Sequence, residues 1–277
     1  MLSDKKKEGV PMSISYLVVF VVCFLASLLG PLCGIGGGVI IKPIVDALGV
    51  MSVSAVSFLS SVSVLTMSLA TLVQNSVTKT STVKVRSMLP IALGSAVGGV
   101  CGKMAFNAVS GMFPNADTVG AVQAAILIAF TIAVLLYTLN KKRIKSLELT
   151  NGGMQALVGF VAGACWSFLG IGGGPFNLAI LVFFFSMESK PAAQASLFII
   201  AFSQTAGLLF TLFSGSVPEV SLVVLVGMCL MAVLGSIVGR KLVKNMDSNA
   251  VDRLYLVALL IIVAVSAYNF VRFCGVL

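Results

Sequence analysis

The string Gly34-Ile35-Gly36-Gly37-Gly38 decides how this chain of 277 residues is read, because it recurs as Gly170-Ile171-Gly172-Gly173-Gly174. One copy lies in each half of the chain, and each follows a long apolar run and precedes a shorter one. Glycine inside a helix costs about 1 kcal/mol relative to alanine, so four glycines in five residues indicate a break between helices. The repetition predicts a chain built from two related halves. The copies are called here the first and the second glycine string.

The composition is typical of a membrane protein. Hydrophobic residues make up 58% of the chain and charged residues 10%, and the mean hydropathy is +1.10. Apolar runs of about 20 residues recur along the whole length. An outer-membrane barrel would instead show segments of about ten residues that alternate between apolar and polar. We therefore expect an all-α, polytopic (multi-pass) integral protein of the cell membrane, plasma or inner.

Eight apolar stretches are long enough to cross a bilayer as helices. They are Met12–Cys33, Ser54–Val77, Ser87–Phe106, Val119–Leu139, Met154–Leu169, Ala192–Phe213, Val220–Val243 and Val251–Val271. Each glycine string is followed by a shorter apolar piece, Val39–Leu48 or Pro175–Met187, which cannot cross about 30 Å alone. We expect these two pieces to be half-helices.

The duplication extends beyond the glycine strings. The motif Leu93–Gly98 recurs with one change as Leu234–Gly239, at a spacing slightly larger than that between the two strings. We expect residues 1–140 to form a first membrane repeat and residues 151–277 to form a second. The segment 141–150 is the basic linker between them.

Whether the two homologous repeats are inverted depends on the glycine-broken elements. If each element re-enters and returns to its own side, each half crosses an odd number of times and all the basic loops lie inside. If each element crosses fully, Arg240–Lys244 lies outside. We expect the inverted arrangement, which only the lysines of Asp4–Glu8 contradict. That segment resembles the start of a signal peptide without a clear cleavage site, so we expect the stretch from Met12 to remain as a helix.

Charge and missing residue types exclude several classes of function. The net charge of +9 comes from basic residues gathered between apolar runs, which is a topology signal, so nucleic acid is not expected as a partner. The chain has no histidine, and its six cysteines form no CxxC pair and are interpreted as small buried side chains. We expect no cofactor and no metal site. An intramembrane enzyme would have only Asp46 and Glu188 as an acidic pair, so we expect no enzyme.

The glycine strings predict a binding site. Backbone without helical hydrogen bonds is tolerated at membrane depth only where it packs in protein or faces water, and two corresponding breaks point to a central substrate site. The start of a half-helix offers unpaired N–H groups and the positive end of the helix dipole, which can bind a small oxyanion. The predicted glycines are Gly34, Gly36, Gly37, Gly38, Gly170, Gly172, Gly173 and Gly174. Helix packing is the alternative for any small pair spaced by four, and we assign it to Gly94, Gly98, Gly235 and Gly239.

Four polar residues near the strings complete the predicted site. Lys42 is either a counter-charge for an anion or the partner of Asp46 at i,i+4. Asn177 offers an amide to the same substrate or caps its half-helix. Ser60 and Ser196 donate hydroxyl groups to an oxyanion or face a neighbouring helix.

These motifs resemble a known family. Gly34–Pro43 and Gly170–Ala179, with the later Leu-Gly-Ser motifs, look like the sulfite exporter TauE/SafE family of membrane permeases over nearly the full chain. The resemblance implies transport of sulfur-containing anions such as sulfite, sulfoacetate and other organosulfonates. It also implies that the matching glycines, Ser60 and Ser196 lie at or near the substrate route. Lys42 departs from the family because that position is usually apolar.

The expected function is that of a secondary transporter, a permease that moves such anions by alternating access. No P-loop is present, so the energy source would be a gradient. The expected partners are a small anionic substrate, the lipid bilayer, and a proton or another coupling ion, with a homo-oligomer left open. The alternatives are an anion channel, an intramembrane enzyme, and a purely structural membrane subunit.

Overall fold

The computed structural model describes residues 12–113, 116–141 and 143–275, and these form ten helices and no strand. The N-terminal segment Asp4–Glu8 lies outside the described residues. In chain order the helices are α1 (Met12–Cys33), α2 (Gly38–Leu48), α3 (Val53–Val77), α4 (Val85–Met112), α5 (Ala116–Asn140), α6 (Gly152–Leu169), α7 (Gly174–Phe185), α8 (Ser189–Phe213), α9 (Leu222–Val243) and α10 (Ser248–Phe273).

The predicted fold class is confirmed. Among the described residues, eight helices are long and apolar enough to cross a membrane, and they are all except α2 and α7. Helix α2 has 11 residues and α7 has 12, so each is about 16–18 Å long, roughly half of the hydrocarbon core. The predicted boundaries are correct to within three residues, except that α4 continues past Phe106 to Met112. That helix runs on because no proline follows Phe106 until Pro114.

Local signals in the sequence start several of these helices. Ser52 accepts a hydrogen bond from the backbone N–H of Ala55 and so caps α3. Asn151 caps α6 and Asp247 caps α10 in the same way. A side-chain oxygen at this position satisfies one of the N–H groups that the first helical turn leaves unpaired.

Each of the two halves packs its helices along helices of the other half. Helix α1 packs along α9, and its counterpart α6 packs along α4. The counterparts α3 and α8 contact each other, as do α5 and α10. Gly94, Gly98, Gly235 and Gly239 each lie against a backbone carbonyl oxygen of the facing helix, where a Cβ would clash. The packing role predicted for these four glycines is confirmed.

Two pairs of counterpart helices run antiparallel to each other, α5 with α10 and α3 with α8. Gly120, near the start of α5, lies against Phe273 at the end of α10. Lys141, which follows α5, forms an ion pair with Asp252 near the start of α10. Helices α3 and α8 are also antiparallel, because Thr82, which follows α3, donates to Gln194 in the first turns of α8.

The loops gather at two ends of the helix bundle. One end, called here the linker face, carries residues 78–84, 143–151, 186–188 and 244–247, which hydrogen bonds join to one another and to the adjoining helix ends. The other end, the opposite face, carries residues 49–52 and 214–221. Of the residues that the structure describes, eleven basic ones lie on the linker face: Lys79, Lys84, Arg86, Lys141, Arg143, Lys145, Lys190, Arg240, Lys241, Lys244 and Arg253.

The expectation that the cysteines are buried is wrong for most of them. Cys23 and Cys33 are fully buried, but Cys165 and Cys229 are half-buried, and Cys101 and Cys274 are exposed on the helix bundle. The reason is that a bilayer accepts small apolar side chains on the lipid-facing surface as readily as a core does.

Candidate functional site

The two glycine strings meet in the core of the protein, where both are fully buried. A Cβ placed on Gly38 would lie 2.6 Å from the carbonyl oxygen of Ile171 in the second string. A Cβ placed on Gly174 would lie 2.5 Å from Cγ2 of Val39 and 3.5 Å from the backbone nitrogen of Gly36. Segments from opposite halves of the chain therefore form one cluster, and only glycine permits this approach.

The strings start the half-helices in a conformation that excludes other residues. Gly37 directly precedes α2 with φ +48°, and Gly173 directly precedes α7 with φ +92°. These values lie in the region that L-amino acids avoid. Each string therefore turns the chain sharply from a spanning helix into a half-helix that begins inside the protein.

The strings leave backbone donors unpaired. In the part of the chain that the structure describes, the N–H groups of Gly36, Gly172 and Gly173 have no hydrogen-bond partner. Buried N–H groups without a partner are rare because they are costly. Here they stand at the positive ends of the dipoles of α2 and α7. Such a set of donors can bind an anion without a charged side chain.

Hydroxyl groups of α3 lie against both strings. Oγ of Ser60 is 2.8 Å from the Cβ position of Gly38, and Oγ of Ser57 is 2.6 Å from that of Gly170. Both side chains are buried, and neither hydroxyl has a partner among the described residues. Ser196 differs, because its hydroxyl donates to the carbonyl oxygen of Gly34 at 2.8 Å. Ser57 and Ser60 thus have hydroxyls free for a ligand, whereas Ser196 holds the first string in place.

Lys42 follows the first string along the chain and brings a positive charge close to the second. Its ammonium lies 2.7 Å from Oδ2 of Asp46, and both side chains are 5% exposed. Its Cε atom lies 3.4 Å from the Cβ position of Gly170 in the second string. Of the two roles predicted for Lys42, the structure has the ion pair. The stem nevertheless reaches the second string, so the ammonium lies close to the predicted anion site.

Asn177 is held by the only tryptophan of the chain. The indole Nε1 of Trp166 donates to Oδ1 of Asn177 at 3.0 Å, and the indole stacks on Phe176 at 4.4 Å between ring centroids. Nδ2 of Asn177 lies 2.7 Å from the Cβ position of Gly173. Trp166 therefore packs beside the second string and fixes the amide next to it.

The structure brings all twelve predicted site residues into this cluster, although Lys42 and Asn177 lie at its two edges. Sequence reasoning missed Ser57, which stands one helical turn before Ser60 and on the same face of α3. The i,i+3 spacing of the two serines was a usable signal.

Sequence reasoning also missed Lys103, which lies inside the apolar span of α4. It is 8% exposed, and no carboxylate pairs with it among the described residues. Its Cγ atom lies 3.5 Å from the Cβ position of Gly207, beside Oγ of Ser167 at 3.3 Å from the same point. A charge within a spanning segment was the signal for it, because such residues mark ion pathways.

The acidic pair that an intramembrane enzyme would need is not assembled. Asp46 is buried at the end of α2 that points to the opposite face, where the backbone carbonyl of Asp46 accepts from Arg272. Glu188 is exposed at the linker face, directly before α8. Within residues 12–113, 116–141 and 143–275, no group of three or more His, Cys, Asp or Glu residues could hold a metal ion.

Eight spanning helices around two half-helices that start side by side in the core define the class of the protein: a multi-pass membrane protein with the construction of a transporter. Residues 19–266 match the family described as sulfite exporter TauE/SafE, and the chain belongs to this family. Its members are integral membrane permeases for sulfite and related sulfur anions, and they are transporters, not enzymes. Searches among curated proteins and among solved structures found no match.

Proposed function

We propose that the protein is a secondary transporter that moves a small sulfur-containing anion, such as sulfite or an organosulfonate, by alternating access around the two glycine strings. The observation that carries this proposal is the contact between the starts of α2 and α7. Both dipoles and the unpaired N–H groups of Gly36, Gly172 and Gly173 are available to one ligand there.

The chemistry of this cluster favours an oxyanion. It offers several free groups that can donate: the backbone N–H groups of the strings and the hydroxyls of Ser57 and Ser60. A positive charge is also close, because the stem of Lys42, which carries the ammonium, touches the second string. A sulfite or sulfonate group has three oxygens that accept hydrogen bonds from several directions. Such a group would replace the partners that these donors lack.

We infer that the two halves are inverted repeats. The antiparallel contacts of α5 with α10 and of α3 with α8 support this inference, because a two-fold axis in the membrane plane relates counterparts in this way. The gathering of eleven basic residues on the linker face supports a cytoplasmic position for that face. Rocking of such halves would open the cluster to either side in turn.

A basic cavity supports a route from the linker face. It measures about 20 Å³ and is lined by Arg240, Lys190, Asn75 and Gln194 among others, without an acidic residue in its described lining. It also reaches Leu197, directly after Ser196, whose hydroxyl contacts the first string. Two cations without a carboxylate favour an anion on its way to the glycine strings.

The test is flux in proteoliposomes. Purified protein is reconstituted, and uptake of labelled sulfite, sulfoacetate and thiosulfate is compared with that of protein-free vesicles. We expect saturable uptake that is accelerated when the same anion is present on the trans side. Uptake without saturation or trans-acceleration would indicate a channel. The absence of any flux with folded protein would refute the proposal.

A further inference from the structure

A small cavity lies at the C-terminal end of α2, between α2, α5 and α10. Its volume is about 20 Å³, enough for one small ion or one water molecule. Its polar lining consists of Lys42, Asp46, Gln123, Ser266 and Asn269. The last four are each at most 6% exposed.

Four buried oxygen atoms of this lining have no hydrogen-bond partner among the described residues. They are Oδ1 of Asp46, Oε1 of Gln123, Oγ of Ser266 and Oδ1 of Asn269. A buried oxygen without a partner is costly, and four of them around one cavity are not explained by the packing of the helices. The cavity therefore has the composition of a ligand site.

Hydrogen bonds fix the orientation of the Gln123 and Asn269 amides, so that their oxygens face the cavity as acceptors. The amide nitrogen of Gln123 donates to the carbonyl oxygen of Phe168 at 2.6 Å. That of Asn269 donates to the carbonyl oxygen of Pro43 at 2.7 Å. Turning either amide around would set oxygen against oxygen, so the amide oxygens must remain the free atoms. Apart from the hydroxyl of Ser266, the free atoms can only accept.

We infer that this cavity is a binding site for a monovalent cation, Na⁺. A water molecule donates only two hydrogen bonds and would leave acceptors unpaired, whereas a cation interacts with every oxygen at once. Oxygen ligands select hard cations. A divalent ion is disfavoured because the one carboxylate is already neutralised by Lys42, so two charges would be buried without compensation. The C-terminal end of a half-helix also presents the negative end of its dipole to the ion.

The charged groups around the site give it a second property. Lys42 holds Oδ2 of Asp46 at 2.7 Å, and Arg272 donates to the carbonyl oxygens of Asp46 and Ala47. A cation must therefore compete with the ammonium of Lys42 for the carboxylate. The stem of Lys42 lies against Gly170, so an ammonium displaced from Asp46 can turn toward the second string. Na⁺ at Asp46 and an anion at the strings would then assist each other's binding. This coupling rests on the proposed function, whereas the Na⁺ site itself does not.

The site is tested first without any substrate. The unfolding temperature of the detergent-purified protein is measured in sodium, potassium and choline gluconate at equal ionic strength. We expect a rise specific to Na⁺ that grows with the logarithm of its concentration above Kd. An equal rise with the other cations, or no rise, would overturn the site. Stabilisation by lower pH alone, without a response to Na⁺, would overturn it as well.

Matched serine variants locate the effect. Ser266→Ala removes one proposed ligand, so the Na⁺ affinity should fall at least about tenfold. Ser68→Ala removes another fully buried hydroxyl without a partner, but one that does not line the cavity, so the affinity should not change. Asp46→Asn should abolish the effect, and the serine pair decides if that variant fails to fold. Equal behaviour of Ser266→Ala and Ser68→Ala would overturn the assignment.

The coupling is tested with sulfite as the probe. Sulfite affinity should rise when Na⁺ replaces choline, and the Na⁺ affinity should rise by the same factor when sulfite is present. In Lys42→Met this mutual effect should vanish while the Na⁺-specific stabilisation remains. Na⁺ stabilisation without any anion binding would support the Na⁺ site but refute the proposed function. Sulfite flux without any dependence on Na⁺ would support the proposed function but refute the coupling.

Discussion

The half-helices α2 and α7 share one backbone design but differ in chemistry. Both begin at a buried glycine string with a positive φ. At corresponding positions after the strings, however, α2 has Lys42 and Asp46 where α7 has Leu178 and Val182. Helix α2 therefore contains a buried ion pair, whereas α7 is apolar throughout apart from Asn177. The duplicated unit supplies the backbone donors twice and the charges only once.

The surroundings of the two half-helices differ in the same direction. Side chains of α10 bind the carbonyl groups of α2, through Asn269 at Pro43 and Arg272 at the last turn. The start of α7 is instead packed against Trp166 and Phe130, which meet edge to face at 5.3 Å. We infer that both half-helices hold the anion, and that only α2 couples it to a cation, with ligands from α5 and α10 completing the cation site.

The largest expected effect is on stability, at the ion pair of α2. Lys42→Leu introduces the residue of the second half and leaves the carboxylate of Asp46 buried and unpaired. This should lower the free energy of unfolding by about 3–5 kcal/mol. Lys42→Leu with Asp46→Val makes α2 as apolar as α7, and the stability should return to the wild-type value or exceed it by about 1–4 kcal/mol. Unfolding in mixed micelles measures both.

Flux separates stability from function in the same variants. The double variant should be folded, but its sulfite flux should no longer depend on Na⁺. It lacks the carboxylate that binds Na⁺ and the ammonium that couples Na⁺ to the anion. If the double variant were as unstable as Lys42→Leu alone, the ion pair would not be the difference that matters between the half-helices.

The next effect compares the glycine strings themselves. Gly37→Leu and Gly173→Leu each place a side chain where φ is +48° or +92°, which displaces the start of a half-helix. Because a displacement of about 1 Å in a binding site can cost on the order of 100-fold in rate, the flux should fall by about that factor in both variants. Gly111→Leu is the control, since nothing lies within 4 Å of its Cβ position. A loss in only one variant would show that the strings are not equal partners.

Much of the fold could be predicted from the sequence, because hydropathy and the repeat carry it. The ends of α1 at Met12 and Cys33 follow from one apolar run bounded by charge and glycine. The half-helices follow from lengths too short to span a bilayer. The six extra residues of α4 were missed because a helix can continue beyond its apolar part, where hydropathy gives no signal.

The candidate site could be predicted only as far as local motifs reach. The two strings are recognisable as a pair, but their contact through Gly38 and Ile171 is a tertiary fact. The difference between Ser60, whose hydroxyl is free, and Ser196, which is bonded to Gly34, could not be read either. Both residues occupy the same position of the repeat, and only the packing of the neighbouring helices distinguishes them.

A smaller effect tests that difference between the serines. Ser196→Ala removes the donor to the buried carbonyl oxygen of Gly34, so the free energy of unfolding should fall by about 1–3 kcal/mol. Ser60→Ala breaks no hydrogen bond of the unliganded protein, so the stability should stay within about 0.5 kcal/mol. Its cost should appear in sulfite affinity, which should fall roughly tenfold with the loss of a hydrogen bond to a charged group. Calorimetry measures the sulfite affinity of both variants, and unfolding curves measure their stability. A stability loss in Ser60→Ala alone would contradict the prediction.

The smallest effect concerns the side chain that belongs to the second string only. Trp166→Phe keeps a ring to stack on Phe176 but removes the donor to Asn177, so the free energy of unfolding should fall by about 1 kcal/mol. Trp166 is also the only tryptophan, and its Cδ1 lies 2.9 Å from the Cβ position of Gly173. Its emission should therefore change when sulfite binds, and this change should be absent in Gly173→Leu. Na⁺ alone acts at the far end of α2 and should leave the emission unchanged. A response to Na⁺ without sulfite would mean that the two half-helices move together even before the anion arrives.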